Sequence, residues 1–177
     1  MICNFENTIQ KMLHIRQASL NDIPFITDIY NDAILNTTAT FDTEIKTIES
    51  RAEWFLAHDE NHPVLAGEID NKVIGWASLT RWSDRCAYDK TSEISVYVDK
   101  AFRGKGIGKQ LLEQLVLQGE KNGTHYMLAR ITQGNEASIH IHELFGFRHV
   151  GVMKEVGFKF GKFLDVHLME KVFPLNK

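Results

Sequence analysis

The sequence predicts a single α/β domain, a mixed sheet with helices on both faces. Three observations predict it. Strand-like alternation and helical periodicity interleave in the order strand, two helices, three strands, helix, strand, helix, two strands. No internal repeat, low-complexity tract or Pro/Gly/Ser linker divides the 177 residues, and none of the three prolines marks a boundary. With 44% apolar or aromatic residues, a chain of this length can bury one core. The expected organisation is a loose N-terminal extension over residues 1–12 and one domain over residues 13–177.

Each element has its own signal. Cys3, Asn4, Glu6, Asn7 and Gln10 give the extension no apolar period. Leu13 to Ala18 reads as a first strand. Ser19 can cap a helix through Asp22, Ile26, Ile29, Tyr30, Ala33 and Ile34, which the polar stretch Asn36 to Thr40 ends. Thr47 opens a second helix with Ile48, Arg51, Trp54 and Phe55. Pro63 to Ile69 and Lys72 to Leu79 form a hairpin around Asp70-Asn71. Trp82 to Asp89 is a polar and aromatic loop. In the strand Thr91 to Val98, Ile94, Val96 and Val98 share one face, and Glu93, Ser95 and Tyr97 the other. A helix follows with Ile107, Leu111, Leu112, Leu115 and Val116 on one side, ended by Gly123. Tyr126 to Ile131 is the next strand. Asn135 starts the last helix and Gly146 closes it. Phe147 to Val156 and Phe163 to Val172 are expected as antiparallel partners around Gly161.

Composition narrows the function classes. A formal net charge of -3 gives no nucleic-acid footprint and no basic membrane patch. No apolar run is long enough to span a bilayer, and no signal peptide is read. Two cysteines, Cys3 and Cys86, supply neither a disulfide framework nor zinc spacing. A cytoplasmic setting is expected, with no membrane or nucleic-acid partner.

The segment Arg103-Gly-Lys-Gly-Ile-Gly108 lies between an apolar strand and an amphipathic helix. Glycines let backbone turn tightly and approach a ligand closely. The helix start offers unpaired N–H groups and a positive dipole end to an anion. Arg103, Lys105 and Lys109 add charge, so a phosphate or pyrophosphate is the natural guest, the alternative being a glycine-rich turn with no ligand. A P-loop is excluded, since Lys109 is followed by Gln110. The dinucleotide fingerprint is excluded because Lys109 stands where its third glycine would be.

Arg103-x-x-Gly106-x-Gly108, after Ile94-Ser-Val-Tyr-Val98 and before a helix, resembles the pyrophosphate signature of the GCN5-related N-acetyltransferases (GNAT). Asn135-Glu-Ala-Ser138 and His142-Glu-Leu-Phe-Gly-Phe147 resemble that family's later helix and its exit. Within the superfamily the chain is similar to the phosphinothricin and methionine sulfoximine acetyltransferases. Thr40 to Glu44, Cys86 to Tyr88, Thr91 to Glu93, Val156 to Gly161 and Leu164-Asp165 carry that likeness. The resemblance implies a central, mostly antiparallel mixed sheet flanked by helices, with acetyl-CoA as co-substrate and no metal. It implies direct transfer of acetyl to the primary amine of a small amino-acid-like molecule. Val96, Tyr97 and Val98 would pair by backbone with the pantetheine arm and acetyl group. Arg103, Gly104, Lys105, Gly106, Ile107, Gly108 and Lys109 would bind the pyrophosphate, Gly104 to Lys109 through backbone N–H groups. Asn135 and Ser138 would bind the pantetheine side. Glu93 would be the catalytic base, with His142 at a helix position often occupied by tyrosine or histidine. A homodimer is also implied, with Phe158 or Phe160 near the other chain's substrate pocket.

The residues allow more than one reading of these roles. A protonated amine cannot attack a thioester, so a carboxylate near the acetyl group is required. Glu93 fits, or it is simply paired with a lysine or arginine at a sheet end. His142 either supports its helix or donates a proton to the leaving thiolate. His140 and His142 stand two apart on a helix and do not converge on a metal. No nucleophilic side chain is needed, so Cys86 forms no acyl-enzyme. The substrate pocket is expected from the loops at Thr37 to Glu44 and Trp82 to Tyr88. Phe41, Trp82 and Tyr88 would be walls and Glu44 part of the lining, while Arg85 or Arg81 would grip a carboxylate or remain solvated. Ser83 stands where some methionine sulfoximine enzymes carry arginine. Other acceptors are a protein N-terminus, a polyamine or an aminoglycoside. A non-catalytic acetyl-CoA-binding module is the remaining alternative.

Overall fold

A computed structural model of the chain describes residues 12–174. The extension expected over residues 1–12 therefore lies, but for Met12, outside the described residues. Strand β1 (His14–Gln17) leads through a short 3-10 turn, Leu20–Asp22, into helix α1 (Ile23–Asn36). Ser19 does open this region, but it caps the 3-10 turn rather than α1 itself. Its backbone N and its hydroxyl both donate to Asp22 Oδ2, at 2.7 and 3.0 Å. Helix α2 (Ile48–Leu56) starts where expected, with the Thr47 hydroxyl accepting from Ser50 N.

The hairpin follows as β2 (Val64–Ile69) and β3 (Lys72–Arg81). Asp70 and Asn71 both take left-handed φ, 51° and 61°, as a two-residue turn of this hand requires. Then come β4 (Thr91–Val98), α3 (Ile107–Lys121), β5 (Tyr126–Thr132) and α4 (Glu136–Leu144). The last hairpin is β6 (Arg148–Lys159) and β7 (Lys162–Val172). These two strands run further toward each other than the sequence suggested. Phe160 and Gly161 make a second left-handed two-residue turn, φ 51° and 76°, so pairing continues to Lys159↔Lys162.

The seven strands form one sheet in the order β1-β2-β3-β4-β5-β7-β6. Every neighbour pair is antiparallel except β4 and β5, which are parallel. The helices divide between the faces. On one, Ile107, Leu111, Leu112 and Leu115 of α3 are buried with Leu79, Ile94, Met127 and Met169. Burying each such side chain is worth about 1.5–3 kcal/mol. On the other, Ile23, Ile26 and Ile29 of α1 pack on Val64, Ala66 and Trp76, joined by Trp54 and Phe55 of α2. The alternation read along β4 holds: Val96 and Val98 join the α3 side, Tyr97 the α1 side. Among the described residues no helix is long and apolar enough to cross a membrane.

Candidate active site

The site begins where two strands stop pairing. β4 and β5 share only Thr91↔Tyr126, Ser92↔Met127 and Glu93↔Leu128. Beyond Glu93 they diverge, while β4 stays paired with β3 as far as Val98↔Gly75. From Ile94 to Val98, the β5-side edge of β4 has no strand to complete its ladder. Such an edge accepts an extended amide-bearing ligand as it would accept a strand. The loop after α1 is fastened across this opening by three elements. The carbonyl of Thr38 accepts from Thr132 Oγ1 (2.6 Å), that of Ala39 from Tyr97 OH (3.3 Å) and that of Thr40 from Lys159 Nζ (2.7 Å). Lys159 is buried, and burial pushes its ammonium below the usual lysine range.

Two cavities adjoin along the opening. The larger, about 510 Å³, is lined by Val96, Tyr97, Val98, Arg103, Gly104, Gly106, Ile107, Gly108, Lys109, Asn135 and Ser138. These are the residues expected to bind the cofactor, save Lys105. The smaller, about 210 Å³, is lined by Tyr30, Phe41, Glu93, Ser95, Arg130 and His142 among others. Ala39, Val96, Tyr97, Asn135 and Ser138 belong to both walls, so the cavities meet at the middle of β4.

The glycine turn shapes the larger cavity. Gly104 and Gly106 sit at φ 76° and 80°, where a Cβ is strained. Gly106 is the N-cap of α3 and brings no capping side chain, so the first N–H groups of the helix remain for a ligand. The Cβ position of Gly108 would lie 3.6 Å from Val98 and 3.9 Å from Ile141, so its absence widens the cleft between β4 and α4. These features fit a pyrophosphate at α3 and an amide arm along β4. Two of the side-chain charges are engaged within the protein. Arg103 donates to Val98 O (3.0 Å) and to Asp32 of α1 (3.0 Å), which also meets Lys100 at 3.3 Å. Lys105 donates to Ala101 O. Arg103 and Lys105 therefore brace the turn, while Lys109 and the backbone N–H groups at the start of α3 border the cavity. Asn135 caps α4 by accepting from Ser138 N, which leaves its amide hydrogens to a ligand.

In the smaller cavity Glu93 is engaged by Arg130, through Nε to Oε1 at 2.5 Å and Nη2 to Oε2 at 2.9 Å. Glu93 is thus paired, as one reading expected, and it also lines the smaller cavity. His142 is buried, with Nδ1 2.8 Å from the Ser138 carbonyl and its ring edge-on to Phe147 at 5.0 Å. A carbonyl only accepts, so Nδ1 carries the hydrogen and the Nε2 lone pair is free in the neutral ring. Burial lowers the imidazole pKa and favours that neutral form.

Behind β4 stands an aromatic wall. Tyr97 stacks on Trp76 at 4.8 Å and meets the edge of Tyr30 at 5.1 Å. The Tyr30 hydroxyl donates to Asp42 (2.9 Å), and burial pushes it up to about 12. Arg51 is buried beside this wall, its guanidinium 3.6 Å from the Trp54 ring, and burial lowers its pKa to about 10.

The expected substrate residues divide. Phe41 is in the wall of the smaller cavity, and its ring comes so close to β6 that a Cβ on Gly157 would lie 2.1 Å from it. Trp82 is half-exposed and sits outside the lining, 5.9 Å from the Arg130 guanidinium. Glu44, Arg85 and Tyr88 are exposed and line neither cavity of the single chain. Arg81 faces Asp89 at 3.8 Å instead. The sequence reading missed Arg130, whereas Thr40 lies in the loop Thr37 to Glu44 that it expected at the pocket. Arg130 did carry a signal, as the one charge inside the strand Tyr126-Met-Leu-Ala-Arg-Ile-Thr132.

A parallel pair that splays beside an uncapped, glycine-led helix has the shape to seat a long ligand with an anionic end. Comparison names the class. Residues 26–147 match the model of the acetyltransferase (GNAT) family. The L-methionine sulfoximine/L-methionine sulfone acetyltransferase of Pseudomonas paraeruginosa is 41% identical over 158 residues, 88% of this chain and 92% of that one. The phosphinothricin N-acetyltransferase of Streptomyces coelicolor is 37% identical, over 90% of this chain and 95% of that one. A GNAT phosphinothricin acetyltransferase from Sinorhizobium meliloti, solved in complex with acetyl-CoA, superposes with TM-score 0.88 at 34% identity. That alignment covers 92% of this chain and 89% of that one. The chain belongs to the GNAT acetyltransferase family, and it is an N-acetyltransferase.

Proposed function

We propose that the protein moves acetyl from acetyl-CoA to the α-amine of a small amino acid of the methionine sulfoximine or phosphinothricin type. The observation that carries this reading is the junction of the cavities at β4, with Glu93 on the acceptor side and the glycine turn on the other. The pyrophosphate would rest on the N–H groups at the start of α3, and the pantetheine amides along the open edge of β4. A backbone N–H between Val96 and Val98 would stabilise charge on the thioester oxygen. Glu93 takes a proton from the acceptor ammonium. The amine nitrogen bonds to the carbonyl carbon, the C–S bond breaks, and the electron pair leaves on the CoA sulfur. The nitrogen then loses its second proton to solvent. No side chain is acylated. His142, neutral and donating to Ser138, suits positioning of α4 better than protonation of the thiolate.

The setting we propose is the cytoplasm, which suits the exposed free thiol of Cys86. We further propose a two-fold homodimer. Phe158, Phe160 and Phe163 are 57%, 56% and 62% exposed at the tip of the edge hairpin, beside the strand position that touches Phe41. Exposed aromatics in such a cluster mark interfaces, and Phe158 or Phe160 would reach the partner's acceptor cavity. Sedimentation at micromolar concentration tests the dimer: a fully active monomer would remove it.

The activity itself is tested with purified protein, acetyl-CoA and a panel of amines, following release of the CoA thiol. Methionine sulfoximine, methionine sulfone and phosphinothricin are expected to lead the panel. Turnover confined to polyamines, aminoglycosides or peptide N-termini would refute the acceptor class.

A further inference from the structure

The acceptor cavity has one cationic side chain in its wall among the described residues, Arg130. The other nearby cations are engaged elsewhere. Lys159 is buried and donates to Thr40 O, Arg51 lies under the Trp54 ring, and Arg81 faces Asp89. Arg130 stands two residues past Leu128, the last β5 residue paired with β4. It shares a strand face with Leu128, the partner of Glu93. It is therefore the first side chain on that face beyond the point where the strands part. From there its fork reaches back to both oxygens of Glu93. The pair is not sealed: the Arg130 side chain is 52% exposed and Glu93 20%.

We propose that Arg130 is the receptor for the acceptor's α-carboxylate, and that the Glu93–Arg130 pair is a resting form the substrate opens. This rests on the amino-acid reading above. An α-amino acid carries an ammonium and a carboxylate on one carbon. The cavity offers the opposite charges, a carboxylate and a guanidinium, on neighbouring strands. The zwitterion replaces one ion pair by two, ammonium to Glu93 and carboxylate to Arg130, with no net charge introduced. Exposed pairs contribute little to folding, so opening this one costs little stability. A planar fork binds a carboxylate through two parallel hydrogen bonds. The exchange also frees Glu93 of its guanidinium at the moment the ammonium arrives. An amine without a carboxylate leaves the pair closed and finds its base occupied, which sets specificity for free amino acids.

The test compares an amino acid acceptor with its carboxamide, which keeps the amine and loses the negative charge. Wild type is expected to favour the acid in kcat/KM. In Arg130→Met the acid is expected to lose about 30-fold or more, mainly through KM, as a charged hydrogen-bonded contact disappears. The carboxamide should lose far less, so the preference collapses. Arg130→Lys, which keeps charge without the fork, should fall between. A loss common to both acceptors reports only the bracing of Glu93, which is why the ratio is read. Matching thermal melts confirm that the variants fold. An unchanged acid-to-amide ratio in an active Arg130→Met would overturn the proposal while leaving the amino-acid reading intact. If wild type acetylates no free amino acid, that reading and this proposal both fail.

Discussion

Glu93 combines a structural ion pair with a place in a cavity wall. A carboxylate on a strand is usually there to pair, and Glu93 is paired with Arg130. It also faces the cavity where the proposed mechanism has an amine lose a proton. Glu93→Gln keeps the shape and removes the base. The expected result is a fall in kcat of roughly a hundredfold or more, the usual size for a lost general base. Raising the pH should restore part of it as free amine accumulates. Near-normal turnover at neutral pH would reduce Glu93 to a strut for Arg130. Arg130, which the sequence reading missed, stands in this cavity only because strand divergence puts it there, 37 residues from Glu93, its partner.

At the scale of elements, the start of α3 and the tip of β6 make separable predictions. Gly106→Glu adds a side chain and a negative charge at the N-cap of α3, where anionic phosphates would lie. Its φ of 80° also makes any Cβ there unfavourable, by about 1 kcal/mol. Acetyl-CoA affinity by calorimetry should collapse while the melt falls only slightly. Unchanged affinity would remove the phosphate cradle. Gly157→Ala acts on the other compartment. The new Cβ would lie 2.1 Å from the Phe41 ring, so the ring must move out of the acceptor wall. KM for the amine is expected to rise several-fold with KM for acetyl-CoA unchanged. Equal effects on both would mean that the hairpin supports the whole fold rather than the acceptor pocket.

The pH dependence of stability belongs to the whole molecule. His142 and His58 are both desolvated, and burial holds each pKa below the ordinary 6.5. The unfolded chain therefore takes up protons that the folded chain refuses. Stability should rise with pH through the window just below 6.5 and fall on acidification from there. A second loss is expected lower, as Asp22 and Glu68, held low by Arg16, are protonated. Melting followed from pH 7 downward tests both, with each kcal/mol lost lowering Tm by about 2–4 °C. His142→Gln should make the first window shallower, leaving the share of His58, and should not touch the second. A flat profile between pH 7 and 5 would contradict the buried neutral imidazole.

What the sequence by itself determined is the part governed by local rules. Alternation along Thr91–Val98 is a statement about which face each Cβ takes, and it held. Asp70-Asn71 lies where a two-residue turn reverses the chain. The glycines at 104 and 106 sit at positive φ because the turn needs it, and Asn135 caps because its side chain reaches Ser138 N. What only the tertiary structure decided is everything set by position across the sheet. The sequence cannot say that β4 and β5 part after Glu93, because ladder register depends on packing over both faces. It cannot say that Arg103 turns toward Asp32 rather than toward a phosphate, or that Arg130 rather than Arg85 lines the acceptor cavity. A charged side chain's partner is chosen by electrostatics among groups brought near by the fold. That choice carries no periodicity for a sequence reading to detect.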